Sequence, residues 1–67
     1  MNVKKLKAFM VLNEITINEL AKQMQISKSA IFRKLNGTSE FNQGEIAYMA
    51  RILKLTPQDI YDIFFDK

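Results

Sequence analysis

The hydrophobic pattern of the chain predicts an all-helical fold of five short helices and no sheet. Three observations carry that expectation. Apolar residues recur at helical spacing in successive segments, each of the last four segments is opened by a residue suited to cap a helix, and no stretch alternates with the two-residue period of a strand. The chain has 67 residues, of which 48% are hydrophobic. That is enough for one small core, so residues 1–67 are read as a single domain.

The first helix is expected from about Val3 to Asn13, with Leu6, Phe9 and Met10 on one face. Thr16 opens the second, and Glu19 three residues later completes a capping-box pattern. Its apolar set is Ile17, Leu20, Ala21 and Met24, the i, i+3, i+4, i+7 series of a helix packed on one side. Ser27 caps a third helix from Lys28 to about Asn36. Gly37 stops it, since glycine takes the left-handed conformation of a helix C-terminus without steric cost. Asn42, with Glu45 at the third position, opens a fourth helix whose inner stripe is Ile46, Met49, Ala50 and Leu53. Thr56 and Pro57 start a fifth, expected over 57–65. Proline fits the first turn, where its missing N–H has no partner to lose, and Asp59 suits the positive end of the helix dipole.

Composition removes several function classes. There is no cysteine and no histidine. Disulfides, thiolate or imidazole metal sites and the commonest general base are therefore absent. The seven carboxylates are scattered, with no acid–base pair, metal-ligand spacing or glycine-rich phosphate loop. The chain is expected not to be an enzyme and to need no cofactor or metal. No apolar run is long enough to span a bilayer, and Lys4, Lys5 and Lys7 interrupt the N-terminal stretch, so neither a membrane span nor a secretory leader is expected. A cytoplasmic location fits these features.

The formal charge of +3 is unevenly spread. Residues 1–34 sum to +5, and residues 35–67 to −2. A basic half opposite an acidic half suits one surface for a polyanion and another turned away from it. Charge alone fits ordinary solvated helix faces equally well, so position has to decide.

Position points to helices two and three. Met24-Gln25-Ile26-Ser27 leaves only a few residues between them, so they must cross steeply, as in a helix-turn-helix spanning 16–36. Leu20, Ala21, Ile26, Ile31 and Leu35 fall where such a pair packs, and the small Ala21 allows close approach. On a helical wheel, Ala30, Ile31 and Leu35 face the core with Lys34 at their margin. Lys28, Ser29, Phe32, Arg33 and Asn36 lie opposite. Arg and Lys donate to guanine O6 and N7, Ser pairs with several bases, and Phe touches a thymine methyl. A polar outer face explains four of these residues, but an aromatic ring among them has no core to explain it.

The run from Ile15-Thr16-Ile17-Asn18-Glu19-Leu20-Ala21 through Ile26-Ser27-Lys28-Ser29-Ala30-Ile31 to Leu35-Asn36-Gly37 resembles the phage Cro and lambda-repressor-like (XRE-type) helix-turn-helix family. Phe41 to Leu55 is similar to that family's fourth helix, and Thr56-Pro57 to Phe65 to the ending of short members on mobile elements. The resemblance implies that Lys28, Ser29 and Arg33 read bases, with Phe32 close by. It places Asn36, Gly37, Thr38 and Ser39 against the phosphate backbone and Thr16 at another backbone contact, with Lys22 and Lys34 adding nonspecific attraction. Two positions depart from the family. Ile17 stands where a glutamine is usual, which removes a contact bridging phosphate and first base and turns Ile17 toward packing. Gln25 stands where glycine is usual in the turn, and a left-handed conformation there costs roughly 1 kcal/mol or more.

At the C-terminal end, Ile60, Ile63 and Phe64 share one face, while Tyr61 and Phe65 are rotated away from it. Tyr61, Phe64 and Phe65 suit a contact between two copies, which would space two recognition helices about one DNA turn apart, ~34 Å. The same rings would also close a small core. The acidic Asp59, Asp62 and Asp66 would turn this helix away from DNA. The resulting expectation is a regulator of phage or mobile-element type that binds double-stranded operator DNA as a homodimer and represses a promoter. The alternative is a helix-turn-helix modulator or antitoxin that acts mainly through a protein partner.

Overall fold

A computed structural model describes residues 1–65. Five α-helices follow in order: α1 (Val3–Leu12), α2 (Ile17–Gln23), α3 (Lys28–Leu35), α4 (Gln43–Ile52) and α5 (Pro57–Ile60). A π-helical turn, Tyr61–Phe65, continues α5. There is no strand among the described residues, and no described helix is long and apolar enough to cross a membrane.

The N-termini form where local chemistry dictates. Thr16, Asn42 and Thr56 each accept a hydrogen bond from the backbone N–H three residues on, while Glu19, Glu45 and Asp59 reach back to the cap's own N–H. Each box satisfies two donors that the first helical turn leaves without partners. Ser27 caps α3 alone, its Oγ accepting from Ala30 N–H at 3.0 Å. Asn2 caps α1 in the same manner, accepting from Lys5 N–H at 3.1 Å.

The helix ends follow one rule four times. A residue just past each of α1 to α4 is left-handed: Glu14 at φ +56°, Gln25 at +58°, Gly37 at +85° and Lys54 at +57°. After α1, Ile15 N–H reaches back to Met10 C=O at 2.9 Å and Glu14 N–H to Val11 C=O at 3.0 Å. After α2, Ile26 N–H binds Ala21 C=O at 3.0 Å and Gln25 N–H binds Lys22 C=O at 3.1 Å. These paired bonds reverse the chain tightly and turn the next residue inward. Ile15, Ile26 and Leu55 all pack against the core from that position. At Gln25 the structure thus adopts the left-handed conformation that the missing glycine implied.

Leu6, Met10, Leu20, Ala21, Ile31, Leu35, Met49, Leu53 and Ile63 form the core, drawn from every α-helix except α5 together with the π-helical turn. The last segment departs from expectation. Only Pro57–Ile60 is α-helical, and the wider π turn carries the chain from Tyr61 to Phe65. This end is anchored against α1: Asn2 N–H donates to Ile63 C=O at 2.7 Å, and Ile63 is fully buried. Lys5 Nζ bridges Asp62 at 2.8 Å and Asp59 at 3.4 Å. Asp59 is held below the ordinary 3.8, chiefly by the Thr56 N–H that its carboxylate accepts. Asp62 is held below it chiefly by the hydrogen bond from Lys5, which in turn raises Lys5 above 10.5.

Candidate nucleic-acid interface

The α2–α3 turn determines which side of α3 is left uncovered. Leu20 and Ala21 are buried from α2, Ile26 packs from the turn, and Ile31 and Leu35 are buried from α3. Ala30 and Lys34 are half-buried at the edge. That leaves Lys28, Ser29, Phe32, Arg33 and Asn36 exposed. These five share the outer face of one helix, because residues three and four apart are neighbours on its surface. Phe32 is at the middle of that face, 40% exposed, with Lys28 Nζ 6.0 Å from its ring centroid.

Among the described residues, Lys22, Lys28 and Arg33 make no ion pair, so their charges remain directed to solvent. Lys34 is placed differently. Its ammonium binds Glu45 at 3.2 Å, donates to the Glu40 carbonyl at 3.0 Å and lies 5.7 Å from the Phe41 ring centroid. The residue ties α3 to α4 across the intervening loop, and its charge is already offset. No local spacing signals this, because Glu40 and Phe41 lie within the loop and Glu45 beyond it.

The loop after α3 exposes Asn36, Gly37, Thr38 and Ser39. Their backbone N–H groups point back into the helix end. Asn36 N–H binds Phe32 C=O at 2.9 Å and Gly37 N–H binds Lys34 C=O at 3.2 Å, while Thr38 and Ser39 share Arg33 C=O at 2.9 and 3.3 Å. Any phosphate contact from this loop therefore has to come from the Asn36 amide and the Thr38 and Ser39 hydroxyls. Thr16 is exposed as well, but Glu19 occupies its environment: the carboxylate accepts from Thr16 Oγ1 at 3.0 Å and from Thr16 N–H at 3.3 Å. An approaching phosphate would meet that negative charge. Ile17, half-buried, packs against the core as expected from its departure from glutamine.

The structure also separates the C-terminal rings. Phe64 is half-buried and meets Phe41 edge-to-face, with centroids 5.8 Å apart and planes at 78°. Tyr61 and Phe65 stay outside, at 54% and 58% exposure. Asp66 and Lys67 lie outside the described residues. One contact absent from the sequence reading joins α2 to α4, where Tyr48 OH donates to Gln23 Oε1 at 2.9 Å and Arg51 stacks 5.4 Å from the Tyr48 centroid.

Two helices joined by a four-residue reversal, the second presenting a cationic and hydrogen-bonding face, define a helix-turn-helix domain. Residues 5–66 match the family of Cro/C1-type HTH DNA-binding domains. The chain belongs to that family. Comparison with curated proteins and with solved structures finds no match.

Proposed function

We propose that this chain is a transcriptional regulator of the phage or mobile-element kind, which reads double-stranded operator DNA with the outer face of α3. The observation that carries the reading is the composition of that face. It has two cations that make no ion pair among the described residues, a hydroxyl, an amide and a ring, on a helix whose opposite side supplies Ile31 and Leu35 to the core. Lys28, Ser29, Phe32 and Arg33 contact base edges in the major groove, where donors and methyl groups distinguish the base pairs. Asn36, Thr38 and Ser39, with the tight turn at Gly37, hold the adjacent phosphates. Lys22 adds attraction that is blind to sequence. Thr16 approaches the backbone only if Glu19 swings aside, and Lys34 contributes chiefly by positioning the loop.

The regulator acts as a homodimer on DNA. The Cα trace measures 28 × 25 × 20 Å. Recognition helices in a symmetric pair sit one DNA turn apart, ~34 Å, a spacing that two copies of this size side by side can meet. Tyr61 and Phe65 supply the apolar contact between copies, and Asp59 of α5 with Asp62 of the π-helical turn keeps that end away from phosphate.

The test is selection from a random duplex library at near-physiological salt. Enrichment of a palindrome with half-sites one turn apart is the expected result. A single enriched half-site would remove the dimer and keep the DNA reader. Loss of all binding with rising salt, and no enriched sequence, would overturn the reading. It would favour a protein-binding role instead, for which Val11 and Leu12, 78% and 76% exposed at the end of α1, are the available apolar surface.

A further inference from the structure

Phe32 is the one large apolar side chain on the outer face of α3, and no other ring among the described residues packs on it. The other apolar residues of that helix, Ala30, Ile31 and Leu35, lie on or beside the inner face. At 40% exposure the ring is more open than any other apolar side chain of that helix. Its neighbours one turn away are Lys28, Ser29 and Asn36, with Arg33 adjacent in sequence, and its close partner is a lysine ammonium 6.0 Å from the centroid. An aromatic ring ringed by donors is placed to meet an apolar group embedded in a polar, anionic partner. Double-stranded DNA offers one such group in the major groove, the C5-methyl of thymine.

We infer that Phe32 makes the protein a reader of the pyrimidine C5-methyl group, so that each half-site contains a thymine whose methyl packs on this ring. The inference rests on the DNA-reading role of α3 and specifies what the centre of that face recognises. Two consequences follow from chemistry alone. Uracil differs from thymine only by lacking the methyl, and burial of one such group is worth about four-fold in affinity, from roughly 0.8 kcal/mol per buried carbon. The 5-methyl of methylated cytosine occupies the same position in the groove, so the ring detects the methyl itself rather than the pairing edge of the base. The flanking donors then supply identity at the neighbouring pairs, with Arg33 suited to guanine O6 and N7. Recognition at the centre of the face is thus by shape, and at its flanks by hydrogen bonds.

The experiment starts from the operator selected with the intact chain and replaces its thymines by uracil one at a time. One position per half-site should lose about four-fold in affinity. Phe32→Ala and Phe32→Leu should both fold, as judged by helical circular dichroism, because the ring lies outside the core. Phe32→Ala should bind the thymine and uracil duplexes equally, while Phe32→Leu retains part of the discrimination. If uracil is tolerated at every position, or if its penalty persists in Phe32→Ala, the inference is overturned and DNA reading by α3 stands. If no operator is selected at all, the functional reading fails first, and this inference fails with it.

Discussion

Replacing Gln25 by glycine should stabilise the protein. Gln25 is held at φ +58° in the turn between α2 and α3. A side chain in the left-handed region brings Cβ against the following carbonyl, at about 1–2 kcal/mol. Glycine removes that clash but gives the unfolded chain more freedom, which offsets roughly 0.5–1 kcal/mol of the gain. The turn's own bonds, from Gln25 N–H to Lys22 C=O and Ile26 N–H to Ala21 C=O, are backbone bonds and survive the change. The Gln25 side chain is exposed, so its loss removes no core contact. The net expectation is a gain of up to about 1.5 kcal/mol, centred on about 0.75, which for a domain of this size raises the thermal midpoint by about 3–6 °C. Thermal and urea unfolding followed by circular dichroism would measure it, with Gln25→Val as the opposing control, since a β-branched residue is least tolerant of positive φ. A midpoint for Gln25→Gly that is unchanged or lower would refute the claim that this turn stores left-handed strain.

Arg33→Ala should weaken binding to the selected operator by ~1–3 kcal/mol and relax base choice at one position per half-site, which competition with single-base variants would reveal. Lys22→Ala should weaken all duplexes about equally and reduce the slope of log affinity against log salt by about one, as read by titrations at several salt concentrations. The clasp between α1 and α5 makes stability depend on pH at both extremes. Asp59 and Asp62 are lowered from 3.8, so their contribution is present above that value and is lost as pH falls below it. Lys5 is raised from 10.5, so its contribution is present below that value and is lost as pH rises beyond it. Lys5→Ala should therefore flatten the acid limb of a stability-versus-pH curve between the intact chain's plateau and pH 3, and an unaltered acid limb would contradict the clasp.

The helix starts were legible because caps are written locally. A Thr or Asn followed three residues later by Glu or Asp brings both partners onto one turn; Thr16 and Asn42 formed boxes with Glu19 and Glu45, and Thr56, expected as a cap, formed a further one with Asp59. The outer face of α3 was legible for a related reason, since a helical wheel needs only the spacing of Ile31 and Leu35 to orient the rest. The left-handed turns were half legible. Gln25 stood out against a family glycine, whereas Glu14 and Lys54 occupy the same turn, each followed by an apolar residue and a threonine, and the repeated pattern was the available signal.

What stayed hidden depends on contacts between distant segments. Lys34 lies on the margin of a wheel that does not show Glu45 beyond the loop, so its expected phosphate role could not be weighed against an ion pair. Phe64 stayed open between the core and a contact between copies, because Phe41, the ring it packs against, is 23 residues away in the chain. The α-to-π change at Tyr61 has no local signature either, and only the anchoring of Ile63 to Asn2 shows how that end is held. The loop amides after α3 form a third case. Sequence places Gly37, Thr38 and Ser39 beside a helix end, but only the structure shows that their N–H groups already serve it.

The central claim is that the outer face of α3 meets DNA, and a nuclear magnetic resonance titration tests it most directly. Amide signals of the isotope-labelled protein would be followed as the selected duplex is added. Binding through α3 requires the largest shifts from Lys28 to Ser39 and at Lys22, with the signals of Val11 and Leu12 nearly still. Tyr61 and Phe65 should move only when a second half-site brings two copies together. Large shifts confined to Val11, Leu12 and their neighbours, with α3 unmoved, would contradict the account and transfer the binding surface to the end of α1.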